Sequence, residues 1–213
     1  GLGDVYKRQH RLCAEMGVTH LNIKINQLRI DGFVKNTPLR CYYCKRELMS
    51  RLIKAAQEKG FDTVFEGSNA DDDNDYRPGM RAVKELGVLS PLKNAELTKS
   101  EIRRLSKALG LSTYSKPSLA CLATRIEYDE EITAQKLKMT DEAEQVLCDL
   151  GLTQVRVRMN DNSARIEVPL DEMKTVFDNA KYINDALKKI GYDFVSLDLE
   201  GYKTGKMNIN INN

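Results

Sequence analysis

The chain has 213 residues, 41% of them hydrophobic, which is enough for one large or two small ordinary cores. Its 33 basic and 31 acidic residues leave a net charge of +2, so nothing global points to a nucleic-acid or membrane partner, and any basic site must be local. No apolar run approaches the ~18 residues of a membrane span and no signal peptide is visible, so a cytoplasmic, reducing setting is expected, where cysteines 13, 41, 44, 121 and 148 suit metal binding or catalysis better than disulfides.

Residues 1–9 have no apolar period and are set aside from fold reasoning. Residues 11–17 read as the last turns of a helix closing at Gly17, and 19–25 as a strand with Leu21, Ile23 and Ile25 on one face. Residues 27–36 read as a polar loop. Thr37 offers a cap, Pro38 suits a first helical position, and Leu48, Leu52, Ile53 and Ala56 recur at helical spacing, which predicts a helix over 38–59 ended by Gly60. Cys41 and Cys44 then share one face of its opening turns, where the positive end of the helix dipole favours thiolates. The C-x-x-C spacing alone leaves open a redox pair, a zinc half-site or a pair with no chemistry.

A strand is predicted over 62–65, followed by Gly67 and the acidic, turn-rich stretch 69–79. That stretch reads either as a solvated loop or as a ligand loop at the carboxyl end of a parallel strand, whose carboxylates could hold Mg²⁺ beside phosphates. Ser90-Pro91-Leu92 reads as a short strand or its exit. Thr98 and Glu101 form a capping-box pair, Leu97 and Ile102 a hydrophobic staple, and Ile102, Leu105 and Leu109 an expected buried stripe before Gly110. Alternating helices and strands in this order imply a parallel sheet covered on both faces. The loop over 112–128, held by Pro117, carries Cys121 and could fold back towards the first cysteine pair.

A second unit starts near residue 129 with a helix to Leu150, in which Ile132, Leu137, Ala143, Val146 and Leu147 are apolar. Cys148 near its end, like Cys13, reads as a small packing residue. Residues 154–159 and 164–168 make a hairpin around Asn160-Asp161-Asn162-Ser163. Pairing Met159 with Ala164 gives one apolar face and sets Arg156 opposite Glu167, but Arg158 opposite Arg165. Directly opposed like charges destabilise a sheet. An anion between them would relieve the repulsion, so this face reads either as a phosphate site or as arginines splayed into water. A last helix over 171–189 and a strand over 192–199 precede a tail, Gly201-Tyr202-Lys203-Thr204-Gly205-Lys206, that permits close approach of an anion.

Taken together, Cys41-Tyr42-Tyr43-Cys44-Lys45, Asn74-Asp75-Tyr76-Arg77-Pro78-Gly79, Lys116-Pro117-Ser118-Leu119-Ala120-Cys121 and Val155-Arg156-Val157-Arg158 resemble the LarE-type ATP-dependent sulfur transferases of the PP-loop ATP-pyrophosphatase superfamily. The resemblance runs from about residue 11 to the end. It implies an α/β fold: a Rossmann-like PP-loop domain with a parallel sheet over 10–128, then a smaller α+β substrate- and phosphate-binding domain over 129–213. It implies adenylation by ATP of a carboxylate on a pyridinium-dicarboxylate mononucleotide, then displacement of AMP by sulfur to leave a thiocarboxylate, in maturation of the nickel-pincer nucleotide cofactor of lactate racemase. Single-cysteine members give up that cysteine's own sulfur, whereas three-cysteine members hold a 4Fe–4S cluster.

Carried over by position, the resemblance makes Cys41, Cys44 and Cys121 the cluster ligands, and Cys121 also the sulfur-site cysteine. Arg156 and Arg158 match phosphate ligands, Glu144 and Glu167 match acidic active-site residues, and Asn74, Asp75 and Arg77 are cofactor-binding candidates, with Mg²⁺ beside the phosphates. The implied partners are the mononucleotide substrate, sulfide or another sulfur donor, and further copies of the chain in a homo-oligomer; neither nucleic acid nor membrane is expected. The family's Ser-Gly-Gly-x-Asp-Ser phosphate loop does not occur in this sequence, so an N-terminal portion carrying it and at least one inner strand is expected to precede these residues. Two alternatives stand beside this reading. One is another PP-loop enzyme, for tRNA thiolation or amide synthesis; the other is a non-enzymatic module in which the three cysteines and His20 bind zinc.

Overall fold

A computed structural model of the protein describes residues 2–74, 76–116, 120–203 and 206. Its helices are α1 Leu2–Glu15, α2 Asp31–Val34, α3 Arg40–Gln57, α4 Gly79–Glu85, α5 Pro91–Asn94, α6 Lys99–Ala108, α7 Ala134–Asp149, α8 Met173–Asp178 and α9 Ala180–Ile190. Strands β1 Arg156–Asn160, β2 Ser163–Glu167 and β3 Phe194–Leu197 form one mixed sheet in the order β1-β2-β3. The protein is thus a mixed α/β structure dominated by helices.

The hairpin register follows from the apolar alternation. Val157 pairs with Ile166, Met159 with Ala164, Arg156 with Glu167 and Arg158 with Arg165. Because side chains alternate across a strand, Val157, Met159, Ala164 and Ile166 fall on one face, and each is at most 1% exposed. Asp161 makes the tight turn with φ 47°, a conformation that a short polar side chain tolerates. β3 returns through α8 and α9 to pair parallel with β2. Met139, Ala143 and Leu147 of α7 and Ile183 and Leu187 of α9 cover the apolar face and complete the largest core.

Two smaller cores lie earlier in the chain. Phe33, Ala123, Ile126 and Ile132 form one, with Cys44 packed against it, and Met49, Val83 and Val88 form the other between α3 and α4. Several expectations change here. A helix, α1, occupies residues 2–15, most of the segment that had been set aside, and closes at Gly17 with φ 65°. Residues 19–25 pair with no strand among the described residues, and Leu21 is half exposed. The 27–36 stretch is not a loop: a 3-10 turn at Gln27–Arg29 leads into α2, whose Phe33 is buried.

The parallel sheet expected over 10–128 is represented, among the described residues, by one parallel bridge between Phe65 and Leu89. The Leu89 N–H donates to the Val64 carbonyl at 3.0 Å, and the Glu66 N–H to the Leu89 carbonyl at 2.9 Å. Strands persist only where a neighbour satisfies their backbone groups, so the predicted segments shorten to this contact. The capping box of α6 forms as expected, with Thr98 and Glu101 exchanging bonds. Its predicted stripe does not bury: Leu105 is 44% and Leu109 76% exposed. The last predicted helix breaks at Asn179 into α8 and α9, and Phe177 beside the break is exposed.

Candidate functional site

The C-x-x-C helix starts two residues later than its sequence suggests. Leu39 rather than Thr37 precedes its first turn, with no side-chain cap, so Cys41 and Cys44 occupy the first and second turns of α3. The tyrosines between them face different neighbours. The Tyr42 hydroxyl donates to Glu85 of α4 at 2.7 Å with the Arg81 guanidinium 3.9 Å above its ring, and the Tyr43 ring lies where a side chain at Gly32 would have to sit. Both packings hold the helix start, leaving Cys41 exposed and Cys44 half-buried.

Cys44 does not behave as a helix-dipole thiolate. Burial pushes its thiol pKa up, and the neighbouring Cys121 and Cys41 sulfurs push it further. Gln27, on the 3-10 turn, donates to its Sγ at 3.4 Å. Ala123 and Ile126, which follow Cys121, pack in the same small core as Cys44, so the described residues after Cys121 lie against the cysteine helix. Among the described residues, no group of three or more His, Cys, Asp or Glu side chains could hold a single metal ion. His20 instead packs on His10, with ring centroids 6.0 Å apart.

The acidic stretch reaches the same helix start. The Tyr76 hydroxyl donates to the Pro38 carbonyl at 3.5 Å, and a Cβ at Gly79 would come within 3.3 Å of the Cys41 carbonyl oxygen, a tight contact that glycine avoids. Arg77 forms an ion pair with Asp72 at 2.8 Å, and Asp72 accepts from the Asn69 N–H at 2.9 Å. Asn74 ends the 3-10 turn Ala70–Asn74, and Asp75 lies outside the described residues. Behind this stretch Lys45 stands 3.6 Å from Glu66. Burial would raise the Glu66 pKa, but hydrogen bonds from Ser68 and Ser90, with Lys45, hold it below the usual carboxylate range.

Cys121 precedes a 3-10 turn, Leu122–Arg125, and two carboxylate–arginine pairs grip that turn. Glu144 of α7 receives Arg125 through both oxygens, at 2.6 and 3.1 Å, and its Oε1 also accepts the Val157 N–H at 3.0 Å. Arg125, 4% exposed, passes the grip on: its Nη1 donates to the Cys121 carbonyl at 3.4 Å and to the Thr124 hydroxyl at 2.9 Å. On the other side Arg158 donates to Glu167 Oε2 at 3.1 and 3.0 Å and to the Thr124 carbonyl at 2.7 Å.

This arrangement corrects the expectation that the opposed Arg158 and Arg165 need an external anion. The fully buried Glu167 supplies the counter-charge, paired with Arg158 and 3.6 Å from Arg165, which also lies 3.6 Å from Asp198. Arg156 is different. Its guanidinium stacks over the Tyr202 ring at 5.2 Å and donates to the Val155 carbonyl at 2.7 Å, with no ion pair to a carboxylate among the described residues. Burial first, then the charge of Arg125, lowers its pKa. Arg156 is therefore the arginine of this face with capacity left for an anion.

Elsewhere the lysine-bearing tail turns inward: Lys206 bonds Asp198 at 2.7 Å and Glu200 at 3.0 Å rather than facing a ligand. Cys148, expected to be a packing residue, is exposed. Sequence reasoning missed the part played by Arg125. The sequence carries only a weak signal for it, Arg125 standing with Thr124 between the apolar Leu122-Ala123 and Ile126.

Fold and site thus define a mixed α/β protein in which the turn after Cys121, held by buried arginine–carboxylate pairs, packs against the helix that carries Cys41 and Cys44. No protein-family model matches the chain. Individual proteins do. A protein of Lactiplantibacillus plantarum named pyridinium-3,5-bisthiocarboxylic acid mononucleotide synthase is 34% identical over 92% of this chain and 71% of its own length. An uncharacterized protein of Synechocystis is 40% identical over 91% of this chain and 73% of its own. One from Methanocaldococcus jannaschii is 33% identical over 87% and 71%. The chain belongs to the LarE-type sulfur transferase family. No helix of the described residues is long and apolar enough to cross a membrane.

Proposed function

We propose that this protein is an ATP-dependent sulfur transferase that converts a carboxylate of a pyridinium-dicarboxylate mononucleotide into a thiocarboxylate, within nickel-pincer nucleotide biosynthesis. The observation that carries this reading is the packing of Cys44 in one small core with Ala123 and Ile126, which follow Cys121, with Cys121 and Cys41 both acting on the Cys44 thiol. The family relationship to a mononucleotide synthase supports it. The proposed organisation is a Rossmann-like PP-loop domain over 10–128 and an α+β substrate domain over 129–213, with ATP, Mg²⁺ and a homo-oligomeric assembly.

The chemistry needs an activated acyl group, because a carboxylate is a poor electrophile until one oxygen becomes a good leaving group. A substrate carboxylate oxygen attacks the α-phosphorus of ATP and pyrophosphate leaves. A sulfur nucleophile then attacks the acyl carbon, the C–O bond to AMP breaks, and AMP departs. Arg156, which forms no ion pair with a carboxylate among the described residues, binds the substrate or nucleotide phosphate, and Arg158 lines the same face while fixing Thr124. Glu144 and Glu167 act through arginines: they hold the turn that presents Cys121. Asn74, Asp75 and Arg77 are assigned to the nucleotide and its Mg²⁺; the neighbouring Tyr76 and Gly79 touch the start of the cysteine helix.

We read the three thiols as ligands of a 4Fe–4S cluster, in which each thiolate binds its own iron, so that the sulfurs need not converge on one point. When bound, such a cluster supplies one iron without a protein ligand, able to carry a transferable sulfide.

The test is anaerobic incubation of the reconstituted protein with Mg-ATP, sulfide and the pyridinium dicarboxylate mononucleotide, followed by mass spectrometry. The expected product has exchanged one carboxylate oxygen for sulfur, with AMP and pyrophosphate released. Unchanged substrate mass with an intact cluster would contradict the proposal.

A further inference from the structure

The two halves of the thiol site come from segments some 80 residues apart, one on α3 and one before the Leu122–Arg125 turn, so something must set their separation. A buried amide spans the gap. Asn36 is fully buried and lies in the turn between α2 and α3 with φ 53°, in the left-handed region that asparagine tolerates better than most residues. Its amide nitrogen donates to the carbonyls of Ile126 at 3.3 Å and Glu127 at 2.6 Å, immediately after the turn that Cys121 begins. Its amide oxygen accepts from Arg40, the residue before Cys41.

The backbone around it repeats the link. The Asp129 N–H donates to the Asn36 carbonyl at 3.1 Å and the Ile132 N–H to the Val34 carbonyl at 2.9 Å, while the Arg40 guanidinium stacks 4.6 Å over the Tyr128 ring. Ala123 and Ile126 from one segment and Cys44 from the other pack in the same small core around Phe33. That core packs the two segments together, and a primary amide with both ends bonded adds a directional link.

We propose that Asn36 is a positioning residue: its amide clamps the start of the cysteine helix to the chain just after Cys121 and so sets the distance between the Cys41/Cys44 pair and Cys121. It rests on the reading of the three thiols as one site, and the pair on α3 provides an internal control, since Cys41 and Cys44 are held at fixed spacing by their own helix whatever Asn36 does.

The experiment is cross-linking of the reduced, metal-free protein with a short bismaleimide, with linked peptides mapped by mass spectrometry. Asn36→Gly keeps the left-handed turn and removes the amide. The expected result is about a tenfold lower yield of the Cys44–Cys121 link, the cost of losing hydrogen bonds of this kind, with the Cys41–Cys44 link unchanged. Equal Cys44–Cys121 yields in the folded variant and the parent would overturn the proposal. If circular dichroism shows that Asn36→Gly does not fold, Arg40→Gln and Tyr128→Leu decide together. Arg40→Gln leaves Asn36 on its carbonyls and removes its tie to the cysteine helix along with the stacking on Tyr128, whereas Tyr128→Leu removes the stacking and keeps Arg40. A lower yield in Arg40→Gln than in Tyr128→Leu supports the clamp, and equal yields overturn it. Absence of the Cys44–Cys121 link in the parent would overturn the three-thiol reading itself, and the clamp with it.

Discussion

The Arg125 guanidinium sits on both oxygens of Glu144, and from that buried position it also holds the Cys121 carbonyl. One ion pair therefore joins α7 to the loop that presents the third cysteine. Breaking a buried pair strands a charge, so Arg125→Ala should destabilise the protein by about 3 kcal/mol in urea unfolding. Iodoacetamide labelling of Cys121 in the folded variant should become faster, because the turn loses its anchor. Labelling at the parent rate would separate Arg125 from the cysteine.

Arg158 should be as costly to remove. Reading the hairpin by charge alone makes Arg158→Ala neutral or stabilising, since a like-charge neighbour of Arg165 disappears. The fully buried Glu167 reverses that sign. Arg158→Ala should cost about 3 kcal/mol, while Arg165→Ala, at a half-exposed guanidinium, should cost under about 1 kcal/mol. Chemical denaturation of the two variants checks the order.

Arg156 separates binding from stability. Its charge pairs with no carboxylate among the described residues, so Arg156→Gln should change stability by less than about 1 kcal/mol, the worth of its contact with Tyr202. Binding of a phosphate-bearing ligand such as AMP, followed by calorimetry, should weaken about tenfold with the loss of a charge-assisted contact. Unaltered binding would remove Arg156 from the phosphate site.

Glu66 makes stability depend on acid. Its folded pKa lies below the ordinary value, held down by Ser68, Ser90 and Lys45 against the effect of burial. The stabilisation is therefore fully present above the unfolded carboxylate pKa, about 4.3, and is lost as pH falls through the folded value. Glu66→Gln should lower stability at pH 6 and shrink the drop measured between pH 6 and pH 3, followed by thermal unfolding. An identical drop in both proteins would assign the acid sensitivity elsewhere.

The C-terminal part of the fold was legible because two local rules agree there. Alternation fixed the register from Val157–Ile166 to Met159–Ala164, and a helical period marked the face of α7 carrying Ala143 and Leu147. The N-terminal part was less legible. The strand reading of 19–25 depends on a partner that local pattern cannot supply, and the buried stripe read onto Leu105 and Leu109 depends on a neighbour that would cover it. In the site, residue types gave the three cysteines and Arg156. They could not show that Glu167 would reach diagonally to Arg158, or that Asn36 would bridge to Ile126 and Glu127, because those bonds depend on tertiary placement.

The central claim is that Cys41, Cys44 and Cys121 act as one site. Anaerobic iron and sulfide reconstitution, with metal analysis of the purified protein and of serine variants at each cysteine, tests it most directly. About four irons and four sulfides per chain are predicted in the parent, Cys13→Ser and Cys148→Ser, with loss of both elements in Cys41→Ser, Cys44→Ser and Cys121→Ser. Stoichiometric zinc without iron or sulfide, or iron retained in full by Cys121→Ser, would contradict the account.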